Sequence, residues 1–221
     1  MPQFGVIFDM DGVLVDSYHA HYESWKLLYD ELDVEYTETT FAADFGRTSR
    51  DILRRTLGDD LADERVGELD GRKEVFYRDI LQQNFPAMDG AAELIHALAE
   101  NGFRLAIGSS GPPENVALVV AQLPGGKRFD VTVTGTDVTR GKPDPQVFLL
   151  AAERLGVPAA CCAVVEDAVH GITAAQRAGM AAIALTGTLE RDELAAADSV
   201  VDSLRQLSPE RIRALIISRT A

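Results

Sequence analysis

The run Phe4-Gly5-Val6-Ile7-Phe8 is apolar without interruption and stops abruptly at Asp9-Met10-Asp11-Gly12. A strand with no polar alternation has to be covered on both faces, which is the situation of a parallel sheet flanked by helices. Similar runs recur at 104–108, 131–134, 161–165 and 181–185, with a weaker one at 199–201. Helical patterns fill the intervals. Ala91, Leu94, Ile95 and Leu98 share a face that Gly102 ends. Asp144-Pro145 reads as an N-cap and a first helical residue, ahead of Phe148, Leu149, Ala152 and Leu155. A third helix is expected over 168–178, stopped by Gly179. This alternation predicts an α/β fold of right-handed βαβ units, doubly wound around a parallel sheet.

Residues 16–88 break the rhythm, with helical patterns and no convincing strand. Tyr18, His21, Trp25, Leu28 and Leu32 form one stripe; Leu69, Lys73, Phe76 and Ile80 form another. The segment is far too long for a crossover. The expected organisation is therefore a core from 1–15 and 89–221, interrupted by a helical cap domain over 16–88, with joins near 15–17 and 84–89.

Charge removes several classes of function. Among 221 residues, 21 are Lys or Arg and 35 are Asp or Glu, a formal net charge of −14. Such a chain repels phosphate backbones and anionic lipid surfaces, which argues against general nucleic-acid binding and membrane adhesion. A local site can still oppose that field and take an anionic substrate. The two cysteines, Cys161 and Cys162, are adjacent and read as buried strand residues, in keeping with a reducing cytoplasm. No apolar stretch approaches a membrane span, and the first residues lack the pattern of a secretion signal. No heptad run or evident interface appears, so a monomer is expected.

In an open parallel sheet, ligands bind beyond the carboxyl ends of the strands. Polar groups occur at those expected ends: Asp9 and Asp11, Ser109 and Ser110, Lys142 in the loop after the third run, then Glu166 and Asp167. Carboxylates gathered at one point repel and titrate together, and a hard divalent cation with oxygen ligands, magnesium, resolves the conflict. A lysine and a hydroxyl beside the cation suit phosphoryl oxygens, and Gly12 lets the backbone pass close to an anion. The chemistry implied is magnesium-assisted phosphoryl transfer on a small phosphorylated metabolite. Asp137 and Asp144 read as a loop carboxylate and a helix cap.

Phe-Asp-Met-Asp-Gly-Val at 8–13, Ser109, Gly-Lys-Pro-Asp-Pro at 141–145 and Glu-Asp-Ala-Val-His-Gly-Ile at 166–172 resemble, in order, the four motifs of the haloacid dehalogenase superfamily. The resemblance covers nearly the whole chain. It implies a Rossmann-like core and a nucleophilic Asp9 that forms an aspartyl phosphate. It implies that Asp11 protonates the leaving oxygen and then deprotonates the incoming nucleophile. It further implies that Asp9, the Asp11 carbonyl and Asp167 hold magnesium, with Glu166 at or just beyond them, and that Ser109, the Ser110 amide and Lys142 bind the phosphoryl oxygens. Dehalogenases of this superfamily lack the second aspartate, so Asp11 favours phosphate chemistry.

The insert resembles the small cap of the β-phosphoglucomutase and phosphoglycolate-phosphatase branch, in which a histidine and a lysine placed like His21 and Lys73 serve the substrate. Trp25 shares the stripe of His21. Mutases of that branch carry an arginine three residues after a cap glycine; here Gly46 is followed by Ser49, with Arg47 and Arg50 beside it. Either arginine reaches a second anion, or both are solvated charges. The expected function is a phosphatase of a small phosphomonoester, a sugar phosphate, with β-phosphoglucomutase as the alternative. A phospho-accepting signalling module is a rival of another class. It fits poorly, because Asp-x-Asp follows the first strand directly and the insert is long.

Overall fold

A computed structural model describes residues 3–44 and 46–220. Met1, Pro2 and Ala221 of the expected core, and Phe45 of the expected insert, lie outside the described residues. The chain divides into two compact units, one of Met1–Asp16 with Pro86–Ala221 and one of Ser17–Phe85.

The first unit holds a six-stranded, all-parallel sheet: β1 (Gly5–Phe8), β2 (Arg104–Gly108), β3 (Val131–Val133), β4 (Cys162–Glu166), β5 (Ala181–Leu185) and β6 (Ser199–Val201). Its order, β3-β2-β1-β4-β5-β6, is that of a Rossmann-like doubly wound sheet. Every residue of β1, β4 and β5 is buried, as the unbroken apolar runs require. β1 is central, with Phe8 opposite Ile107 on one side and Val165 on the other. The chain builds outward through β2 to β3, then returns across β1 to start β4. The carboxyl ends of β1 and β4 therefore flank the point where the winding reverses.

Helices α5 (Ala91–Glu100), α6 (Pro113–Gln122), α7 (Gln146–Leu155), α8 (Val169–Arg177) and α9 (Pro209–Thr220) accompany the sheet; α1–α4 belong to the insert. Several boundaries move by one residue from the expectation; β3 ends at Val133 and α8 covers Val169–Arg177. β4 starts at Cys162, because Cys161 closes a 3-10 turn, and it runs on to Glu166, which still pairs with Ala184. α7 starts at Gln146, because the Asp144 carboxylate accepts the Gln146 N–H at 3.0 Å from one residue further back. Gly156, in the left-handed region at φ 67°, closes α7. Phe148 of α7 is fully buried among Ile7, Ala106, Val133 and Val164 of the sheet.

The insert comprises α1 (Tyr18–Asp30), α2 (Glu38–Asp44), α3 (Ser49–Leu57) and α4 (Asp63–Gln83), around Trp25, Leu28, Tyr29, Tyr36, Phe41, Leu53 and Leu69. Both expected stripes are rotated. On α1, Tyr29 is fully buried and Tyr18 exposed, and Leu32 falls beyond the helix. On α4 the buried face is Val66, Leu69, Lys73, Tyr77 and Leu81, while Phe76 and Ile80 are half-buried. The Arg72 guanidinium covers Phe76 at 4.5 Å, which lets that ring sit near the surface. Among the described residues no helix is long and apolar enough to cross a membrane.

Candidate active site

The loop after β1 is shaped by burial and turn geometry. Met10, Val13, Leu14 and Val15 are fully buried, whereas Asp9 and Asp11, on either side of Met10, are half-buried. The Leu14 N–H bonds to the Met10 carbonyl at 2.8 Å and the Gly12 N–H to the Val15 carbonyl at 2.9 Å. Gly12 has φ 73°, and a Cβ there would lie 2.0 Å from Oδ2 of Asp167. Only glycine meets both requirements. The Asp9 N–H bonds to the Val165 carbonyl at 2.9 Å, so the first carboxylate stands beside the end of β4.

Asp9, Glu166 and Asp167 each offer an oxygen within 4.8 Å of the others. Lys142, which begins the turn that runs into α7, reaches into the group: its ammonium lies 2.9 Å from Asp9 and 2.6 Å from Glu166. It also lies 5.0 Å over the Phe148 ring. The second Glu166 oxygen accepts the N–H groups of Asp167 and Ala168, at 2.8 and 2.9 Å. Glu166 is thus held on three sides, against the first turn of α8. Gly171 completes the packing, because a Cβ there would lie 1.8 Å from Oε1 of Glu166.

The charges inside this cluster are unequal. Burial pushes the Asp9 carboxyl up to about 8, aided by the Glu166 and Asp11 charges and opposed by Lys142. Burial and the Asp9 charge push Asp167 up to about 6. Burial alone would depress the Lys142 ammonium, but Asp9 and Glu166 outweigh it and hold it above the usual lysine range. Two of the three acids share one ammonium. The set fits a hard divalent cation in its donor chemistry, all oxygen, and in its surplus of negative charge.

Ser109 leaves β2 next to β1. It is buried; its N–H bonds to Val133 and its hydroxyl accepts the Gly111 N–H, both at 3.0 Å. Ser110 is exposed. Asp137 and Asp144 are structural: Asp137 closes a capping box with Thr134 and bonds Arg154 at 2.6 Å, and Asp144 caps α7. Sequence reasoning missed Thr188, whose hydroxyl donates to Asp167. The signal was available, since Thr188 lies just beyond β5 and only four strand ends were read as carrying chemistry.

In the insert, the Lys73 ammonium is buried 2.9 Å from Nδ1 of His21 and 2.8 Å from Glu74. The Trp25 and Tyr77 rings lie 5.5 and 5.2 Å from it, and His21 stacks on Tyr77 at 4.4 Å. Arg47 and Arg50 are half-exposed and do not join this group. Arg47 lies 3.7 Å from the buried Asp44, which also holds Arg55 at 2.6 Å; Arg50 and Arg54 share Asp63.

The doubly wound parallel sheet carries this acid–lysine cluster at its winding reversal, the place where α/β enzymes of this architecture bind their ligands. The haloacid dehalogenase-like hydrolase family matches residues 5–179, and the chain belongs to that family. Validoxylamine A 7'-phosphate phosphatase of Streptomyces hygroscopicus subsp. limoneus is 32% identical over 204 residues, covering 91% of this chain and 94% of that protein. β-Phosphoglucomutase of Bacillus subtilis (strain 168) is 30% identical over 212 residues, covering 93% and 92%. Among solved structures, a family IA, variant 3 hydrolase of Entamoeba histolytica superposes with a TM-score of 0.90 at 26% identity, over 97% of this chain and all of that one.

Proposed function

We propose that this enzyme is a magnesium-dependent phosphatase of phosphorylated carbohydrates that works through an aspartyl phosphate on Asp9. The observation that carries the reading is the Lys142 ammonium bonded to both Asp9 and Glu166 beside Asp167. That arrangement supplies a nucleophile, a cation for phosphoryl oxygens and a second carboxylate that keeps the cation in place.

Asp9 attacks phosphorus, and the ester oxygen leaves with its bonding electrons while Asp11 donates a proton to it. Asp11, now a carboxylate, takes a proton from water as the water oxygen attacks the phosphoryl group. Inorganic phosphate leaves and the Asp9 carboxylate is restored. Ser109, the Ser110 amide and Lys142 bind the non-bridging oxygens through both steps. Asp9, the Asp11 carbonyl and Asp167 are the residues that would hold magnesium, with Glu166 adjacent. Bound there, the ion neutralises phosphoryl charge and the repulsion among the carboxylates.

His21, Trp25 and Lys73 of the insert are proposed to serve substrate selection. Sugar phosphates are the substrate class, in line with the activities named for the two relatives. The mutase alternative needs a cationic grip on a second phosphate. The arginines near α3 work against it, because Asp44 and Asp63 engage Arg47, Arg50, Arg54 and Arg55. We further propose a cytoplasmic monomer, a reading that the free cysteines Cys161 and Cys162 support. Incubation with β-glucose 1-phosphate, a bisphosphate primer and magnesium separates the readings. Release of free phosphate alone is expected; formation of glucose 6-phosphate would replace the phosphatase by the mutase.

A further inference from the structure

The loop that follows β5 is held at each step. The Thr186 N–H bonds the Val201 carbonyl at 2.9 Å and its hydroxyl reaches Asp202 at 3.1 Å. Gly187 turns the chain at φ 132°, and Leu189 packs on the apolar core. Thr188 lies between these anchors, half-buried, with its hydroxyl donated to Oδ2 of Asp167. The same region is closed from the other side by Gly12. A Cβ on Gly12 would stand 2.0 Å from Oδ2 of Asp167 and 2.9 Å from Oγ1 of Thr188. The Asp167 carboxylate is therefore confined between a backbone with no side chain and a hydroxyl fixed by its own loop.

We propose that Thr188 is a positioning residue that sets the orientation of the Asp167 carboxylate and so prepares it to hold the divalent cation. The inference rests on the reading above, in which Asp167 is one of the cation's ligands; Thr188 touches neither cation nor substrate. A free aspartate rotates about two side-chain bonds, and a ligand that must first be oriented binds more weakly. Partners that orient a metal ligand in this way are typically worth about 10–100-fold in affinity. The role falls to a hydroxyl for a physical reason. A lysine here would add charge and compete with the cation, while an apolar side chain would leave a buried carboxylate oxygen without a donor.

The test compares Thr188→Val, which keeps the shape and removes the hydroxyl, with Thr188→Ser, which keeps the hydroxyl. The readout is the magnesium dissociation constant of the whole protein by calorimetry, without substrate. Metal-free melting of each variant, and Thr188→Ala as a second deletion, separate a local effect from a folding defect. The expected result is binding weakened about tenfold or more in the valine and alanine variants and restored in the serine variant. In turnover, the valine variant requires correspondingly more magnesium for half-maximal rate, while kcat at saturating magnesium stays within about twofold. Wild-type affinity in Thr188→Val, or equal loss in Thr188→Ser, overturns the proposal. Asp167→Asn in the same titration examines the underlying reading separately: unchanged binding there removes Asp167 from the cation site altogether.

Discussion

Gly171 offers a test in which two physical arguments predict opposite signs. It lies inside α8, where glycine is about 1 kcal/mol worse than alanine, so Gly171→Ala should stabilise the core if only helix propensity matters. The structure argues for the reverse. The new methyl would lie 1.8 Å from Oε1 and 1.9 Å from Cδ of Glu166. Ordinary contact then requires the carboxylate to retreat by about 1.5 Å. A surface glutamate would swing away at little cost, but this one is 1% exposed and bonded to Lys142, to the Asp167 N–H and to the Ala168 N–H. A retreat of that size breaks at least one charge-assisted hydrogen bond, at about 1.5–3 kcal/mol, and overpacking adds about 1–3 kcal/mol. After the propensity gain, a net loss of about 3 kcal/mol remains. At about 2–4 °C per kcal/mol for a chain of this size, the core melting temperature falls by about 6–12 °C. Calorimetric melting of the variant measures it. A midpoint at or above that of the wild type would show that Glu166 is not the fixed post described here.

Other expectations concern the cluster and its supports. Asp9→Asn leaves phosphate release at the uncatalysed background, and Asp11→Ala lowers kcat about 100–10,000-fold, both read in a phosphate-release assay. Retained activity in Asp9→Asn would exclude the covalent route. Lys142→Met removes the ammonium shared by Asp9 and Glu166 and lowers kcat/KM about 100–1000-fold, with loss of stability as well, because the buried Glu166 and the half-buried Asp9 lose their counter-charge. Asp137 is held down to about 2 by the Arg154 guanidinium and the Thr134 donors. A carboxylate depressed in the folded state stabilises above its unfolded pKa, about 3.9, and the benefit disappears as pH falls through about 2. Asp137→Asn therefore costs about 1 kcal/mol at pH 7 and little near pH 2, measured by urea denaturation across that range.

The sheet was legible because strands buried on both faces have sharp ends. At β2, β5 and β6 the apolar run and the strand coincide residue for residue. The meeting of Asp9, Glu166 and Asp167 followed from the same pattern, since each ends a strand or opens the next loop, whereas Lys142 arrives from the far end of the connection between β3 and α7. The faces of α1 and α4 were harder to read. Lys73 is buried because His21, Glu74, Trp25 and Tyr77 surround it, and periodicity along one helix cannot reveal a partner contributed by another. Thr188 escaped for a similar reason. Its place just beyond β5 was visible, but its bond to Asp167, a helix and a strand earlier in the chain, was not.

β1 is translated first, yet it pairs with β2, which begins at Arg104, and with β4, which begins at Cys162. On a ribosome the central strand has no neighbour until all of the insert has emerged, and its second edge stays open until β4, from Cys162 onward, has been made. Among the described residues, the apolar centre of the helical insert is drawn from within Ser17–Phe85. Vectorial synthesis thus sets an order: the later-encoded strands close around an early segment that must stay unpaired, and unaggregated, while it waits.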